Sequence, residues 1–313
     1  MDSNTNHLIK KSTSEFYQAG KITEDYSLYD YLHGYLYLRW PYLYISVAIG
    51  EHKLARLLQP VFLFLTAILT PFSKNDPGNG EAFANSYHGK VVPVEEAKKL
   101  VMIQEEIIIK NLEPVIPFTR AKDIIMKNPD RIAALDCPCR VSRAEPCYPL
   151  DVCLIIGDPF VSFILEQQPE KSRLISSREA MDILQAEHER GHVHHAFFKD
   201  AMLNRFYAIC NCCACCCGAF QSHRNGTPML IASGYTAENN PDLCNGCGTC
   251  QEFCQFSAIQ ILEGKAYIDR ELCFGCGVCV DKCQNNAITL KRDPQKGIPL
   301  EIEKLMNAAL PVG

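Results

Sequence analysis

Cysteine is the residue type best suited to do chemistry in this chain, which has 18 cysteines among 313 residues. Eight of them fall near the C-terminus in two runs that share the spacing C-x2-C-x2-C-x3-C. The runs are Cys244, Cys247, Cys250, Cys254 and Cys273, Cys276, Cys279, Cys283. Because thiolates at short, fixed spacing bind soft metals, these runs predict metal-binding loops.

The second run repeats the first at a displacement of 29 residues, and 10 of the 17 positions over residues 243–259 match. A cubane [4Fe-4S] cluster needs four thiolates around one small polyhedron, of which a tight loop supplies three and another segment the fourth. Glycines between the cysteines let backbone N–H groups approach the cluster. The repeat therefore predicts a duplicated cluster-binding unit.

The segment from about residue 234 to 293 resembles the bacterial two-[4Fe-4S] ferredoxins, in which the fourth cysteine of each run binds the other cluster. The resemblance implies a ferredoxin-like domain with two [4Fe-4S] clusters. It implies the two ligand sets Cys244, Cys247, Cys250, Cys283 and Cys254, Cys273, Cys276, Cys279. A zinc ribbon is the alternative, and two four-cysteine runs with this spacing argue against it.

The residue after each fourth cysteine departs from the family, which usually has proline there. This chain has Gln255 and Gln284 instead. Ligation should survive, because proline is not a ligand. A glutamine amide that donates a hydrogen bond toward cluster sulfur would raise the reduction potential, whereas the more ordinary expectation is that both side chains face water.

The ten remaining cysteines form two groups in the middle of the chain. The first is Cys137, Cys139, Cys147 and Cys153, and the second is Cys210, Cys212, Cys213, Cys215, Cys216 and Cys217. Soft thiolates favour iron–sulfur clusters or zinc, and we expect iron because an electron-transfer tail gives a redox site a role. At least one further cluster is therefore predicted. The first candidates for its ligands are Cys137, Cys139, Cys147, Cys153, Cys210 and Cys212.

Histidines lie between the two central cysteine groups. In a strand, His192 and His194 would share one face and could form a ligand pair or a proton relay, although a hydrogen-bonded histidine patch is the commoner arrangement. No motif in the sequence assigns a catalytic residue.

These patterns predict an α+β protein with an N-terminal helical segment, a central mixed α/β domain and a C-terminal ferredoxin-like domain. The predicted divisions are an apolar and aromatic docking segment at 1–74, a linker at 75–92, the central domain at 93–233, the ferredoxin-like domain at 234–293 and a tail at 294–313.

Residues 26–72 are the most apolar and aromatic part of the chain. Apolar residues recur there at three- and four-residue steps, which predicts an amphipathic helix with a kink at Pro41. No run reaches about 20 apolar residues, so no membrane span is predicted. The helices either pack against a partner or the chain's own core, or they make peripheral membrane contact through residues 26–72.

Shorter patterns predict the remaining elements. Helices are predicted over 94–110 and 119–128, and a capping box at Ser176 opens another that ends at Gly191. Predicted strands are 132–135, 152–156, 193–198, 205–209, 258–262, 266–268 and 287–291.

The net charge and the N-terminal residues restrict the class of ligand and the compartment that we expect. The net charge of −5 argues against a nucleic-acid binder. Residues 1–11 show no secretory signal, so we expect a cytoplasmic protein, with membrane association possible through the apolar segment.

The leading hypothesis is an iron–sulfur electron-transfer protein or subunit that serves a redox partner or a larger oxidoreductase complex. One alternative is a reductase that acts on a small molecule at the central cysteines. The other is a metal or redox sensor. Turnover by reduced protein would separate the reductase from the other two.

Overall fold

The computed structural model describes residues 9–53, 57 and 79–309. Its helices are α1 Lys11–Lys21, α2 Leu28–Arg39, α3 Pro41–Ala48, α4 Asn79–Ser86, α5 Val94–Val101, α6 Pro138–Val141, α7 Phe160–Gln167, α8 Ser177–Glu189, α9 Gly218–Arg224, α10 Thr249–Glu252, α11 Val278–Asp281 and α12 Ile302–Ala309. Its strands are β1 Tyr87–Val91, β2 Ile107–Ile109, β3 Ile124–Leu135, β4 Cys153–Asp158, β5 Ser172–Ile175, β6 Val193–Lys199, β7 Arg205–Cys212, β8 Leu230–Ile231, β9 Tyr235–Asn239, β10 Ile259–Leu262, β11 Lys265–Ile268 and β12 Ile288–Arg292.

Eight of these strands form one mixed sheet in the order β2-β3-β4-β7-β6-β1-β8, with β5 also paired to β3. Neighbouring strands are antiparallel except β1 and β8, which are parallel. The other four strands form two antiparallel ribbons in the C-terminal part, β10 with β11 and β9 with β12. The α+β class is confirmed. The strands predicted over 193–198 and 205–209 are present as β6 and β7, and the three short strands predicted in the tail are present as β10, β11 and β12.

Helices cover both faces of the sheet. On one face, α1, α2 and α7 contribute buried residues such as Phe16, Leu38 and Phe163 to a core that also contains central cysteines. On the other face, α5, α8 and α12 pack through residues such as Leu100 and Leu184. The two cores share the sheet, so its strand ends are held between layers of helix.

The N-terminal helices bury their aromatic stripe in the chain's own core. Tyr31, Tyr35 and Tyr42 pack against buried residues of the first core, and the helix breaks at Trp40 before Pro41, as predicted. The opposite face of α2 and α3 is apolar and exposed; it consists of Leu28, Tyr29, Leu32, Leu36, Trp40, Leu43 and Val47. Within the described residues, no helix is both long and apolar enough to cross a membrane. The apolar run at 60–72 lies outside the described residues.

The linker predicted over 75–92 is wrong for residues 79–91, which form α4 and the strand β1. This strand lies inside the sheet between β6 and β8, with His88 and Lys90 completely buried. Its composition is polar, so the usual alternation of apolar and polar residues does not reveal it. Burial is possible because tertiary partners satisfy the polar atoms; for example, the Lys90 ammonium donates to the carbonyl of Ile298 at 2.8 Å.

The helix predicted over 119–128 is also wrong, because β3 begins at Ile124. The pairing of β3 with β4 shifts between Lys127 and Ile132, and Pro129 lies within this irregularity, where its missing N–H leaves no ladder bond unmade. The helix predicted over 94–110 ends at Val101, and β2 follows it. In contrast, α8 begins as predicted, with the Ser176 hydroxyl accepting a hydrogen bond from the backbone N–H of Glu179 at 3.1 Å.

Candidate metal centres

Two cavities in the C-terminal part are each surrounded by four thiols. One is lined by Cys244, Cys247, Cys250 and Cys283, and the other by Cys254, Cys273, Cys276 and Cys279. The fourth cysteine of each run therefore lies beside the first three cysteines of the other run. This grouping has the same members as the ligand sets that the ferredoxin resemblance implies.

Backbone N–H groups point at sulfur in both cavities and repeat with the sequence duplication. The N–H of Ala258 lies 3.3 Å from the sulfur of Cys254, and its counterpart Ala287 lies 3.2 Å from that of Cys283. The N–H of Ala266 approaches Cys244 at 3.4 Å, and this hydrogen bond lowers the pKa of the Cys244 thiol. Such donors stabilise negative charge on sulfur, as a cluster ligand requires.

Two glycines allow the cysteine loops to close around the cavities. Gly246 and Gly275 have φ values of 71° and 66°, and a Cβ atom at either would collide with the carbonyl oxygen of Gly264 or Tyr235, respectively. Only glycine fits at these positions. The thiols, the N–H donors and the close backbone approach together fit a [4Fe-4S] cluster in each cavity.

Comparison with known families agrees with this geometry. The family described as 4Fe-4S binding domain matches residues 237–260 and 266–289, two adjacent repeats that together contain all eight cysteines of the runs. The C-terminal part is thus a two-repeat, dicluster ferredoxin-like domain. No curated protein matches the chain.

The two tail cavities differ in their surroundings. Cys247 is exposed at the first cavity, whereas Cys273 and Cys279 of the second are buried. Burial raises the pKa of the Cys276 thiol to about 12, so that thiol stays protonated until a metal displaces the proton. Cys247 is thus accessible to solvent at the first cavity, whereas Phe256, which contacts Phe220 of α9, lines the second.

Gln255 joins the second cavity to the central cysteines. Its side-chain oxygen accepts a hydrogen bond of 2.7 Å from the backbone N–H of Ala214, which lies between Cys213 and Cys215. The expectation that both glutamines face water is therefore wrong for Gln255. Gln284, its counterpart in the other repeat, is exposed.

Aromatic rings lie at the same contact. Phe256 stacks on Phe274 with ring centroids 4.4 Å apart and planes 8° from parallel. Phe220 of α9 lies 4.9 Å from Phe256 on its other side. Nearby, the imidazole of His188 is 2.6 Å from the carboxylate of Asp281 in the tail. These contacts seat the ferredoxin-like domain against the sheet and α9.

The ten central cysteines converge at one end of the inner strands of the sheet, where β3 and β7 end and β4 begins. Because β4 is antiparallel to both β3 and β7, the ends of β3 and β7 lie beside the start of β4. Cys153 of β4 is directly paired with Cys210 of β7. Cys137 and Cys139 follow β3, and the remaining cysteines continue from β7. All ten are free thiols.

Four of them form a compact group, which we call the four-thiol site: Cys147, Cys213, Cys215 and Cys216. Their sulfur atoms all lie within 4.8 Å of one another, and those of Cys147 and Cys215 are 3.1 Å apart. The guanidinium of Arg143 holds this loop by donating two hydrogen bonds of 3.1 Å to the carbonyl of Cys216. The site is partly exposed, through Cys215.

The other six line a cavity that Cys213 and Cys216 of the four-thiol site also border, and we call these six the six-thiol site: Cys137, Cys139, Cys153, Cys210, Cys212 and Cys217. Contacts between thiols run continuously from Cys210 through Cys153, Cys137, Cys139 and Cys217 to Cys212. The last pair has its sulfurs 3.2 Å apart. The hydrogen bond from Cys139, together with burial, raises the pKa of Cys137 to about 12.

Three tyrosines and the helices α2 and α3 complete the wall of the six-thiol site. Tyr37 and Tyr207 join through their hydroxyl groups at 3.0 Å, and Tyr87 lies beside both. Leu38 and Ile45 close the cavity from the helical layer. No sequence pattern indicates this wall, because its members are distant along the chain.

Of the six cysteines predicted as the first candidates, five lie together in the six-thiol site, and Cys147 lies in the four-thiol site. Cys217, which sequence reasoning ranked lower, is the sixth member. Cys212 belongs to the six-thiol site, whereas its neighbour Cys213 belongs to the four-thiol site and also borders the shared cavity.

The central histidines have structural partners. His192 is 2.7 Å from the carboxylate of Glu187, which also accepts from the buried Arg140 at 2.5 Å. His194 is 2.6 Å from the side-chain oxygen of Asn211, and burial lowers its pKa to about 3. Among the described residues, the candidate metal group contains cysteines and no histidine. The hydrogen-bonded patch is the arrangement that the structure shows.

Proposed function

We propose that this protein transfers electrons between a redox partner and a metal centre built on its central cysteines, by way of the two clusters of its ferredoxin-like domain. The contact of Gln255 with Ala214 carries the proposal, because it links the ligand loop of one tail cavity to the central thiols through one side chain. Electron transfer depends steeply on distance, so a direct contact of this kind is what a relay needs.

When bound, the tail clusters supply one-electron chemistry. The chain's own residues set the order of the relay. Cys254 and Gln255 hold the second cavity against the central cysteines, and Phe256, Phe274 and Phe220 exclude water from the junction. We propose that a redox partner docks beside the first cavity, because Cys247 is exposed there.

We further propose that the central cysteines hold at least one additional cluster. The observation in its favour is the convergence of ten free thiols at one end of the inner strands. Free, adjacent thiols oxidise readily in air. We therefore propose that the protein works under anaerobic conditions in the cytoplasm, a reducing compartment that keeps thiols free of disulfides. The partner would be a soluble redox protein or an oxidoreductase complex.

The contact is tested by replacing Gln255→Ala and, as a matched control, Gln284→Ala in the full chain. The first change removes the hydrogen bond to Ala214, and the second removes an exposed side chain at the equivalent position of the other repeat. We expect Gln255→Ala to slow reduction of the central centre by roughly tenfold, comparable to the loss of one hydrogen bond at the junction. Gln284→Ala should remain near the wild-type rate.

The measurement is anaerobic rapid mixing with dithionite, followed by freeze-quench EPR of the tail and central signals. Tail reduction should be unchanged in both variants. Equal rates of central reduction in the wild type and Gln255→Ala would contradict the proposed path.

A further inference from the structure

We propose that the ten central cysteines form two metal sites of different chemistry. The six-thiol site would take a polynuclear iron–sulfur cluster larger than one cubane, and the four-thiol site a single tetrahedral ion. This inference deepens the proposed function and rests on its assignment of a metal centre to the central cysteines. Three independent observations distinguish the two sites: the number of thiols, the space beside them, and the groups that face that space.

The number of thiols comes first. A cubane takes one terminal thiolate at each of four irons, so four cysteines saturate it. The six-thiol site offers six sulfurs in one continuous chain of contacts. Four of the six are buried and two are half-buried. Because three strands hold all six thiols in position, we expect all six to bind metal, which is two more than one cubane can use.

The space beside the thiols is the second observation. The cavity lined by the six-thiol site, which Cys213 and Cys216 of the four-thiol site also border, has a volume of about 60 Å³. Each tail cavity, with the four thiols that suit one cubane, has about 20 Å³. A bare ion lies within the contact surface of its ligands and needs no cavity. The central cavity is thus larger than either tail cavity, which is consistent with an inorganic core larger than a cubane.

The groups that face the cavity are the third observation. Tyr37 and Tyr87 lie near Cys139 and Cys210, Tyr207 lies near Cys210, and phenols can donate hydrogen bonds to cluster sulfides. Lys199 does not line the cavity, but it is only 2% exposed and its ammonium lies 4.3 Å from the ring centroid of Tyr87, which does. Hydrogen-bond donors and a buried cation suit the negative charge of a thiolate-bound cluster.

The four-thiol site differs in that its sulfur atoms lie close enough together to bind a single ion. Metal–sulfur bonds of about 2.3 Å in a tetrahedron place the four sulfurs about 3.8 Å apart, which agrees with a group whose members all lie within 4.8 Å. A cubane would hold its terminal sulfurs farther apart, since each binds a different iron. The compact geometry fits one ion, either zinc or iron.

The test compares two double variants of the full chain, purified anaerobically from cells and analysed for iron, zinc and sulfide. Cys137→Ala with Cys153→Ala removes two ligands of the six-thiol site, and Cys147→Ala with Cys215→Ala removes two of the four-thiol site. The wild type should hold more than about 12 iron atoms, of which about eight belong to the tail. We expect the first pair to lose more than about four irons and the second pair to lose one metal equivalent.

A third variant, Tyr207→Phe, keeps every thiol, so an effect of this variant on the cluster cannot be explained by misfolding due to lost cysteines. It should shift the EPR spectrum or the reduction potential of the polynuclear cluster and leave the single ion unchanged. A wild-type total of about eight irons plus one ion, or a loss of about four irons from the Cys147 and Cys215 pair, would overturn the assignment. The metal contents do not depend on electron transfer. They can therefore contradict the two-site assignment without contradicting the relay through Gln255, and the reduction kinetics can contradict the relay without contradicting the two-site assignment.

Discussion

The role of a cysteine in this protein is set by its neighbours. Cys212 ends β7 and points into the six-thiol site, where its sulfur meets that of Cys217 at 3.2 Å. Cys213 follows directly and joins the four-thiol site. The two glutamines also differ in their surroundings: Gln255 accepts a hydrogen bond from the central cysteine loop, whereas Gln284 is exposed to solvent. A duplicated sequence thus acquires two different functions from its surroundings.

A prediction at this scale concerns Cys283, which lies at the cavity of Cys244, Cys247 and Cys250 although it belongs to the second run. Cys283→Ala should remove about four irons, because a cubane with three thiolates is easily lost. Alkylation and mass spectrometry of the native protein should then label the three cysteines of the first run. Labelling of the second run instead would show that each run binds its own cluster. Cys254→Ala is the matched control and should give the reverse pattern.

At the scale of the elements, α2 and α3 are apolar on two faces. One face packs on the core and closes the six-thiol site, with Leu38 and Ile45 in its wall. The other exposes apolar side chains, among them Leu36 at 48% and Leu43 at 50%. Exposed apolar surface of this extent is typical of contact with a partner or a membrane surface.

We therefore expect Leu36→Lys with Leu43→Lys to abolish association with the partner or the membrane fraction and to leave the iron content unchanged. The reason is that both side chains lie outside the core, so charge there weakens only an external apolar contact. Leu174→Lys, at an equally exposed leucine of β5, is the control. Co-sedimentation with vesicles and pull-down of the oxidoreductase fraction measure the effect. Unchanged association in the double variant would refute a docking role for this face.

Elements that depend on residues close in sequence could be predicted, whereas elements that depend on tertiary contacts could not. The cysteine loops of the tail and the capped start of α8 depend on residues close in sequence, so the sequence alone indicates them. The strand β1 could not be found that way, because its His88 and Lys90 are polar residues that only the assembled fold can bury. The strand β3 was obscured by Pro129, whose place at an irregularity depends on the partner strand.

At the scale of the whole molecule, the buried histidine His88 links folding to pH. Its ring stacks on Phe118 at 4.1 Å and lies 5.7 Å from Phe198, while Nδ1 donates to the carbonyl of Ala84 at 2.9 Å. Burial lowers the pKa of His88 to about 4. The unfolded chain, with an ordinary histidine pKa of about 6.5, binds the proton first as the pH falls.

The neutral histidine thus contributes stability that is complete above about pH 6.5 and is lost as the pH falls toward 4. Between pH 7 and 4.5, the wild type should lose about 2 kcal/mol of unfolding free energy more than His88→Phe. Anaerobic denaturant titrations of both proteins across this range measure the difference. Parallel pH profiles would show that His88 is not held neutral in the folded protein.

The metal centres show the same limit on what a sequence reveals. The spacing of the tail runs identifies a ferredoxin-like domain, because three ligands of each site are neighbours in the chain. The separation of the central thiols into four and six depends on the pairing of Cys153 with Cys210 and on the return of the chain at Cys217. Neither follows from spacing, and the tyrosine wall comes from three distant elements.

The wall that α2 and α3 give the six-thiol site has a consequence for how the protein matures. Leu38, Ile45 and the tyrosines line the cavity once these helices are packed against the sheet, so we expect a cluster to enter before the helices dock. The N-terminal helices would then dock after the sheet has formed, although they precede the sheet in the chain. A maturation factor would then meet a nascent protein whose strand ends are still open.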